Sequence, residues 1–365
     1  MNRRDFIKKS SGVAAVAAST ILGAPAVMAS SRKHRWQMVS TWPPNFPLLQ
    51  TGVERFANRV KELTDGQLTI QVYAAGELIP AFGSFEAVSK GMVQAGSGAS
   101  YYWAGKSTAA QWFTSVPFGL NAQGMNAWLY AGGGLQLWEE TYAPFNLIPR
   151  PSGNTGLQMG GWFNREINSI DDFKGLKMRI PGLGGKVIDK VGGTPVLLPG
   201  GEIFTSLERG VIDATEFVGP LHDMRMGFYK AAKYYYTPGW HEPGSVLEVF
   251  FNKQAYEKLP KSLQGALDAA AAENNIWMLA EFDAQNGAAL EVLINQHKVS
   301  VRRFSKETLD QLRTVALEVR EEEAQKDAQA KKVHLAFNAF QEKVGLWGSF
   351  SEQVYYDLIA KRVGE

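Results

Sequence analysis

Twice along this chain the apolar residues switch between the period of a strand and the period of a helix, and that double alternation restricts the fold more than any other feature. "HRWQMVSTW" alternates as a strand, and "PPNFPLLQTGVERFANRVKELTDG" reads as a loop and then an amphipathic helix ending at Gly66. "QLTIQVYAAGEL" alternates again, and "SFEAVSKGMVQAGSGAS" reads as a helix that stops in glycine. The succession strand, helix, strand, helix predicts a parallel α/β sheet. The pattern then restarts. "GLQMGGWFN" reads as a strand, "SIDDFKG" as a short helix capped by Ser169, "LKMRIPG" as a strand and "GGKVIDKVGG" as a helix. "TPVLLPGGEIFTSLERGVIDATEF" supplies strand, helix and strand, so a second α/β unit is expected over about 154–241. From "SVLEVFFNKQAYEKLP" onward the expectation is helix, with most of the later charges on a solvated face.

The first residues are expected to lie outside this fold. "MNRRDFIKKS" is a basic stretch with the pair Arg3-Arg4, "SGVAAVAASTILGAPAV" is a short apolar run, and Val27 and Ala29 suit cleavage before Ser30. Residues 1–29 therefore read as an export signal, and the arginine pair with Phe6 resembles the twin-arginine type. The segment holds four basic residues against Asp5, so its removal turns the formal charge of +2 into −1. No Lys/Arg cluster remains to favour nucleic acid. Cysteine is absent, which excludes disulfides, thiol nucleophiles and Cys-based zinc sites together.

Catalytic patterns are scarce. The histidines His34, His222, His241, His297 and His334 are scattered, with no H-E-x-x-H spacing for zinc and no G-x-S-x-G elbow elsewhere. "PGLGGKV" is not a phosphate loop, because Ile180 stands where the first glycine belongs and Val187 where the hydroxyl belongs. Aromatic residues gather instead at predicted strand ends, in "SYYWAGK", "FVGP" and "YYYTPGWHEPG", where open α/β sheets place their ligands. Three polar residues interrupt apolar strands: Gln158, Arg179 and Glu216. A carboxylate at Glu216 costs free energy unless something compensates it. Arg179 could be its direct partner in a buried ion pair, or could clamp a ligand carboxylate through two parallel hydrogen bonds.

Taken in order, "AGEL", "GLKMRIPG", "LERGVIDATEFVGP" and "YYYTPGWHEPG" resemble the solute-binding receptors of TRAP transporters, the tripartite ATP-independent periplasmic systems. "SYYWAGK", "GNTGLQMGGWF" and "DATEFVGP" are similar to the DctP-like branch that binds 2-oxo acids and related monocarboxylates. The resemblance implies an α/β fold of the periplasmic binding protein type: two α/β domains around a cleft, hinge strands, a long bracing helix and a helical C-terminus. It implies domain I at 30–153 plus about 242–285, domain II at 154–241 plus about 286–330, and a C-terminal segment at 331–365. It further implies that Arg179 holds the substrate carboxylate, with Gln158, Asn154, Tyr101, Tyr102, Phe217, Trp240 and Glu242 around it. A sodium or calcium ion would be held by Gln158, Glu216, Phe217 and Glu242, and would compensate Glu216. Phe217 stands where this branch usually has an indole, and His241 where another aromatic is common.

The expected function is therefore a periplasmic receptor for a small monocarboxylate, pyruvate or lactate in type, that delivers it with a cation to small and large membrane subunits. No catalysis is expected. The alternatives are an exported metal-assisted lyase or hydrolase using Glu216, Asp223 or His241 as base, and an extracytoplasmic sensor or adhesion module. The C-terminal stretch carries Val333, Leu335, Phe337, Phe340, Val344 and Trp347, an apolar load large for a lone helix. Receptors resembling this one exchange such a helix between two subunits, which implies a homodimer.

Overall fold

A computed structural model of the chain describes residues 33–363, so the expected export signal at 1–29 lies outside the described residues. The strands are β1 (His34–Ser40), β2 (Leu68–Tyr73), β3 (Ala95–Gly98), β4 (Leu147–Asn154), β5 (Gly161–Phe163) and β6 (Lys177–Arg179). They continue with β7 (Thr194–Val196), β8 (Ala214–Thr215), β9 (Tyr234–Thr237), β10 (Val246–Asn252) and β11 (Ser300–Arg303). Two sheets result, one ordered β2-β1-β3-β10-β4 and the other β11-β9-β5-β8-β6-β7.

Neither sheet is purely parallel, which corrects the expectation from sequence. β1 runs parallel to β2 and β3, but β10 is antiparallel to both β3 and β4. In the second sheet β6 runs parallel to β7 and β8, while β5 is antiparallel to β8 and β9. The cause is the path of the chain. It leaves the first sheet along β4 and returns along β10, with Val246 paired to Asn154, so the return strand enters in reverse. The two crossings thus lie side by side.

Two elements differ from the sequence expectation for a second reason. Helix in "SFEAVSKGMVQAGSGAS" is confined to Ser84–Ser89, and the small residues beyond it form β3, buried throughout. A Cβ on Gly96 would sit 2.4 Å from Phe250 Cζ, so this strand needs its glycine for packing. Likewise "VLEVFFN" begins no helix; it is β10, and all of its residues are buried. A strand covered on both faces shows no alternation.

The helix Lys261–Asn295 braces the molecule, packing on β4 and on the helices Gln50–Leu63 and Pro220–Met226. Its Asn274 donates to Ser152 O at 2.7 Å, which fixes it to the crossing strand. Three helices close the chain, Lys306–Ala324, Ala328–Phe350 and Glu352–Val363. Val333 and Phe337 are buried, the latter against Trp128 at 5.0 Å, but Leu346, Trp347, Phe350, Tyr355, Tyr356 and Leu358 are exposed. Among the described residues no helix is long and apolar enough to cross a membrane.

Glu248, in the middle of β10, is a buried carboxylate away from any charge partner. Its Oε1 accepts from Trp103 Nε1 at 2.7 Å and from the Tyr142 hydroxyl at 3.0 Å, and its Oε2 has no partner. Burial pushes it up to about 8, against the lowering effect of the two donors. The folded state therefore keeps a proton that the unfolded chain, with an ordinary value of 4.5, has released. Stability present below about pH 4.5 is lost as the pH rises towards about 8, by up to about 1.4 kcal/mol per unit. Glu248→Gln is expected to flatten that slope: urea midpoints coincide with the parent near pH 4.5 and exceed it near pH 8. Parallel curves would mean that Glu248 does not titrate in this window.

Candidate ligand and cation site

The parallel strands β6 and β8 end side by side, facing Tyr102 from the turn after β3. β6 ends in Arg179, and its parallel neighbour β8 is followed at once by Glu216, whose N–H donates to Arg179 O at 3.2 Å. That register brings the two side chains together: Arg179 Nη1 donates to Glu216 Oε1, and both groups are fully buried. Arg179 Nε reaches Leu198 O at 3.3 Å, Nη2 reaches the Tyr102 hydroxyl at a long 3.5 Å, and the guanidinium lies 5.7 Å from the centre of the Phe217 ring. Burial works to lower the Arg179 value, but the Glu216 carboxylate overrides it and the result is raised. Arg179 stays charged.

The loop from β9 to β10 brings His241 and Glu242 to the same place. His241 Nε2 lies 3.4 Å from Glu216 Oε2, and donor atoms of Glu216, His241 and Glu242 all fall within 4.8 Å of one another. Gln158 enters from the crossing after β4, where its N–H donates to Glu242 O at 3.2 Å and its O accepts from Gly239 N at 2.9 Å. A Cβ on Gly239 would lie 2.3 Å from Gln158 O, so the approach requires glycine. Gln158 Nε2 donates to Glu242 Oε2 at 2.8 Å, to Thr155 Oγ1 at 3.1 Å and to Ser245 Oγ at 3.4 Å. The Ser245 hydroxyl also donates to Glu242 Oε2.

The balance is then one guanidinium against two carboxylates, an excess negative charge in a buried place. Its effect is visible at Glu242, which is pushed up to about 7 by burial first and by Glu216 second. Three buried polar atoms have no partner here: Gln158 Oε1, Asn154 Nδ2 and His241 Nδ1. Buried polar atoms are normally satisfied, so a cluster of exceptions beside unbalanced carboxylates points to a ligand.

The sequence model of bacterial extracellular solute-binding proteins, family 7, matches residues 38–327. The chain belongs to this family. A monocarboxylate 2-oxoacid-binding periplasmic protein of Nostoc sp. is 43% identical over 358 residues, covering 97% of this chain and 98% of its own. A TRAP periplasmic solute-binding protein from Pseudoalteromonas atlantica, solved with bound sodium and pyruvate, is 42% identical with a TM-score of 0.87, covering 89% of this chain and 99% of that one. A TRAP transporter solute-binding protein from Bordetella bronchiseptica, solved as a mixed-occupancy dimer with calcium and picolinate, is 38% identical with a TM-score of 0.89, covering 91% of this chain and 98% of that one. The two-sheet α/β fold of the periplasmic binding proteins is thus established for this family 7 receptor.

Around the charged cluster the receptor places most of the residues singled out from sequence. The Tyr101 ring stands 4.8 Å from that of Tyr102, and burial raises both phenols, Glu242 adding to the effect at Tyr101. Asn154 turns its Oδ1 to Gly156 N at 2.8 Å and leaves Nδ2 free. Phe217 lies 5.8 Å from Phe46, across from Arg179, whereas Trp240 stacks on Phe118 at 5.9 Å and contributes through the position of its neighbour His241. The direct partner of Glu216 is Arg179, joined by His241, so the ion pair weighed from sequence is present.

Asp223 does not belong to the cluster as a base. Its carboxylate accepts from Trp162 Nε1 at 3.0 Å and the Tyr235 hydroxyl at 2.7 Å on Oδ2, and from Val218 N at 3.4 Å on Oδ1. It holds the second sheet to the helix that follows Glu216. Thr155 and Ser245, which orient Gln158 and Glu242, were missed from sequence. Both are small hydroxyl residues in glycine-containing loops, and neither charge nor apolar context marks them.

Proposed function

We propose that this protein is the periplasmic receptor of a tripartite ATP-independent transporter and binds a small monocarboxylate, a 2-oxo acid such as pyruvate or a 2-hydroxy acid such as lactate, together with sodium or calcium. The observation that carries this reading is the charge balance at Arg179, Glu216 and Glu242 beside the unpartnered Gln158 Oε1. A ligand carboxylate would deepen the negative excess. A hard cation, when bound, supplies the missing positive charge, and the available oxygens suit sodium or calcium. Gln158 Oε1, Glu216, Glu242 and the backbone carbonyl of Phe217 are the groups we assign to it.

The chain's own residues divide the remaining work. Arg179 keeps Nη1 on Glu216 and offers Nη2, loosely held by Tyr102, to the carboxylate of the ligand. Asn154 Nδ2 gives a further donor, Tyr101, Tyr102 and Phe217 wall the pocket, and Trp240 fixes the His241-Glu242 loop. Lobe closure would turn on the paired crossings at Asn154 and Val246, dividing the chain into 30–153 plus about 242–285 and 154–241 plus about 286–330. The membrane subunits would read the closed form. Glu216 is engaged by Arg179 and His241, and Glu242 by Gln158 and Ser245, and with the family match to solute-binding proteins we infer a receptor rather than a lyase or hydrolase.

Thermal melts test this cheaply. Pyruvate or lactate with calcium or sodium should stabilise the chain by about 3 kcal/mol at a hundredfold excess over Kd, whereas a dicarboxylate should not. A chemically consumed acid with no stabilisation would contradict the receptor reading. We further infer export through the Arg3-Arg4 leader, and a homodimer formed through the exposed face carrying Trp347, Phe350, Tyr355 and Tyr356. Sedimentation should show a dimer that becomes a monomer when residues 345–365 are removed; a monomeric parent chain would remove the dimer from the account.

A further inference from the structure

Among the described residues Arg320 is a buried arginine without an acidic partner. It is 4% exposed, its Nη2 donates to Asn338 Oδ1 and to Gln341 Oε1, the latter at 3.1 Å, and its Nε has no partner. The other deeply placed guanidiniums are paired, Arg179 with Glu216 and Arg150 with Asp268 and Glu139. Burial lowers the Arg320 value to about 10, with no neighbouring carboxylate to offset it. Arginine does not escape such a cost by losing its proton, and the Phe337 ring 5.6 Å from its guanidinium and the two carboxamides bring no negative charge, so the guanidinium calls for an anion.

The surroundings suit one. Arg320 lines a groove of about 810 Å³ between the helices Lys306–Ala324 and Ala328–Phe350, which shares no residue with the site above. Arg313 lines it two turns earlier on the same helix, exposed, with its guanidinium 5.2 Å from the Phe118 ring and no ion pair. Asn338, Gln341 and Gln353 add carboxamides, and Glu342 is the one acidic residue among the lining groups. Among the lining groups two guanidiniums face one carboxylate, with Asp310 near Arg313 outside the lining, and the amide-rich wall suits a hydrated polar group better than an apolar segment.

We propose that this groove is a second binding site, for a small oxyanion, a phosphate or a free carboxylate, seated against Arg320 and Arg313. The charge-assisted hydrogen bonds of a guanidinium fit either chemistry.

The test is calorimetric titration of inorganic phosphate and, separately, acetate into the full mature chain carrying Arg179→Met and Glu216→Gln, which disables the first site by removing both members of its ion pair together. The expected result is saturable one-to-one uptake of at least one anion at constant ionic strength. Arg313→Gln should weaken it at least about tenfold and Arg320→Gln should abolish it. Binding of phosphate alone assigns the groove to phosphates, and binding of acetate to carboxylates. No saturable binding of either anion, or binding unchanged by both substitutions, would overturn the proposal. If Arg320→Gln does not fold by circular dichroism, the exposed Arg313→Gln decides alone.

Discussion

Arg179→Met is expected to abolish binding of pyruvate-like acids, a loss of at least about a thousandfold, because it removes the buried positive charge that we assign to the ligand carboxylate. The same substitution strands Glu216, which is fully buried and otherwise touches only His241 through its side chain. Leaving a buried charge unpaired costs about 3–5 kcal/mol, so the single variant should also melt earlier without ligand. The double variant Arg179→Met with Glu216→Gln separates the effects. It should recover most of the lost stability and still bind no acid, since the neutral amide removes the stranded charge but restores no clamp. A folded double variant that binds pyruvate as tightly as the parent would remove Arg179 from the ligand.

Glu216→Gln alone should act on the cation instead. It keeps the shape of the side chain and an oxygen for Arg179, but lowers the charge of the candidate cation site by one. Calcium affinity is expected to fall by about a hundredfold or more, in keeping with the dependence of such sites on ligand charge. The acid should then bind weakly and with little response to calcium, because Arg179 faces one carboxylate fewer and remains available. Tight binding with unchanged calcium dependence would place the cation elsewhere. The two substitutions thus predict opposite patterns: loss of the acid at any calcium level for Arg179, and loss of the calcium response for Glu216.

Much of this site could be read from the chain because it breaks local rules. Arg179, Gln158 and Glu216 are polar residues in apolar surroundings, and although Gln158 lies in the crossing loop and Glu216 just beyond β8 rather than in strands, the structure gathers the three into one buried cluster. The alternation of strand and helix likewise predicts the two α/β units. What escaped the sequence did so for physical reasons. β3 and β10 are buried on both faces and have no polar edge to reveal a period. The antiparallel entry of β10 follows from where the second unit hands the chain back, a long-range property absent from any local window. Thr155 and Ser245 act only by holding Gln158 and Glu242, and such supporting hydroxyls look like ordinary loop residues until their partners are in place. Asp223 shows the converse. As a carboxylate near Glu216 it was a candidate base, yet Trp162 and Tyr235 occupy it as part of the packing.

The measurement that bears most directly on the central claim is calorimetric titration of pyruvate into the metal-stripped mature chain, repeated with sodium and with calcium. The charge balance at Arg179, Glu216 and Glu242 predicts one site per chain, at least about tenfold tighter with one of the cations than without either, and pyruvate recovered unchanged afterwards. Equal affinity in the absence of both cations, or conversion of the pyruvate, would contradict it.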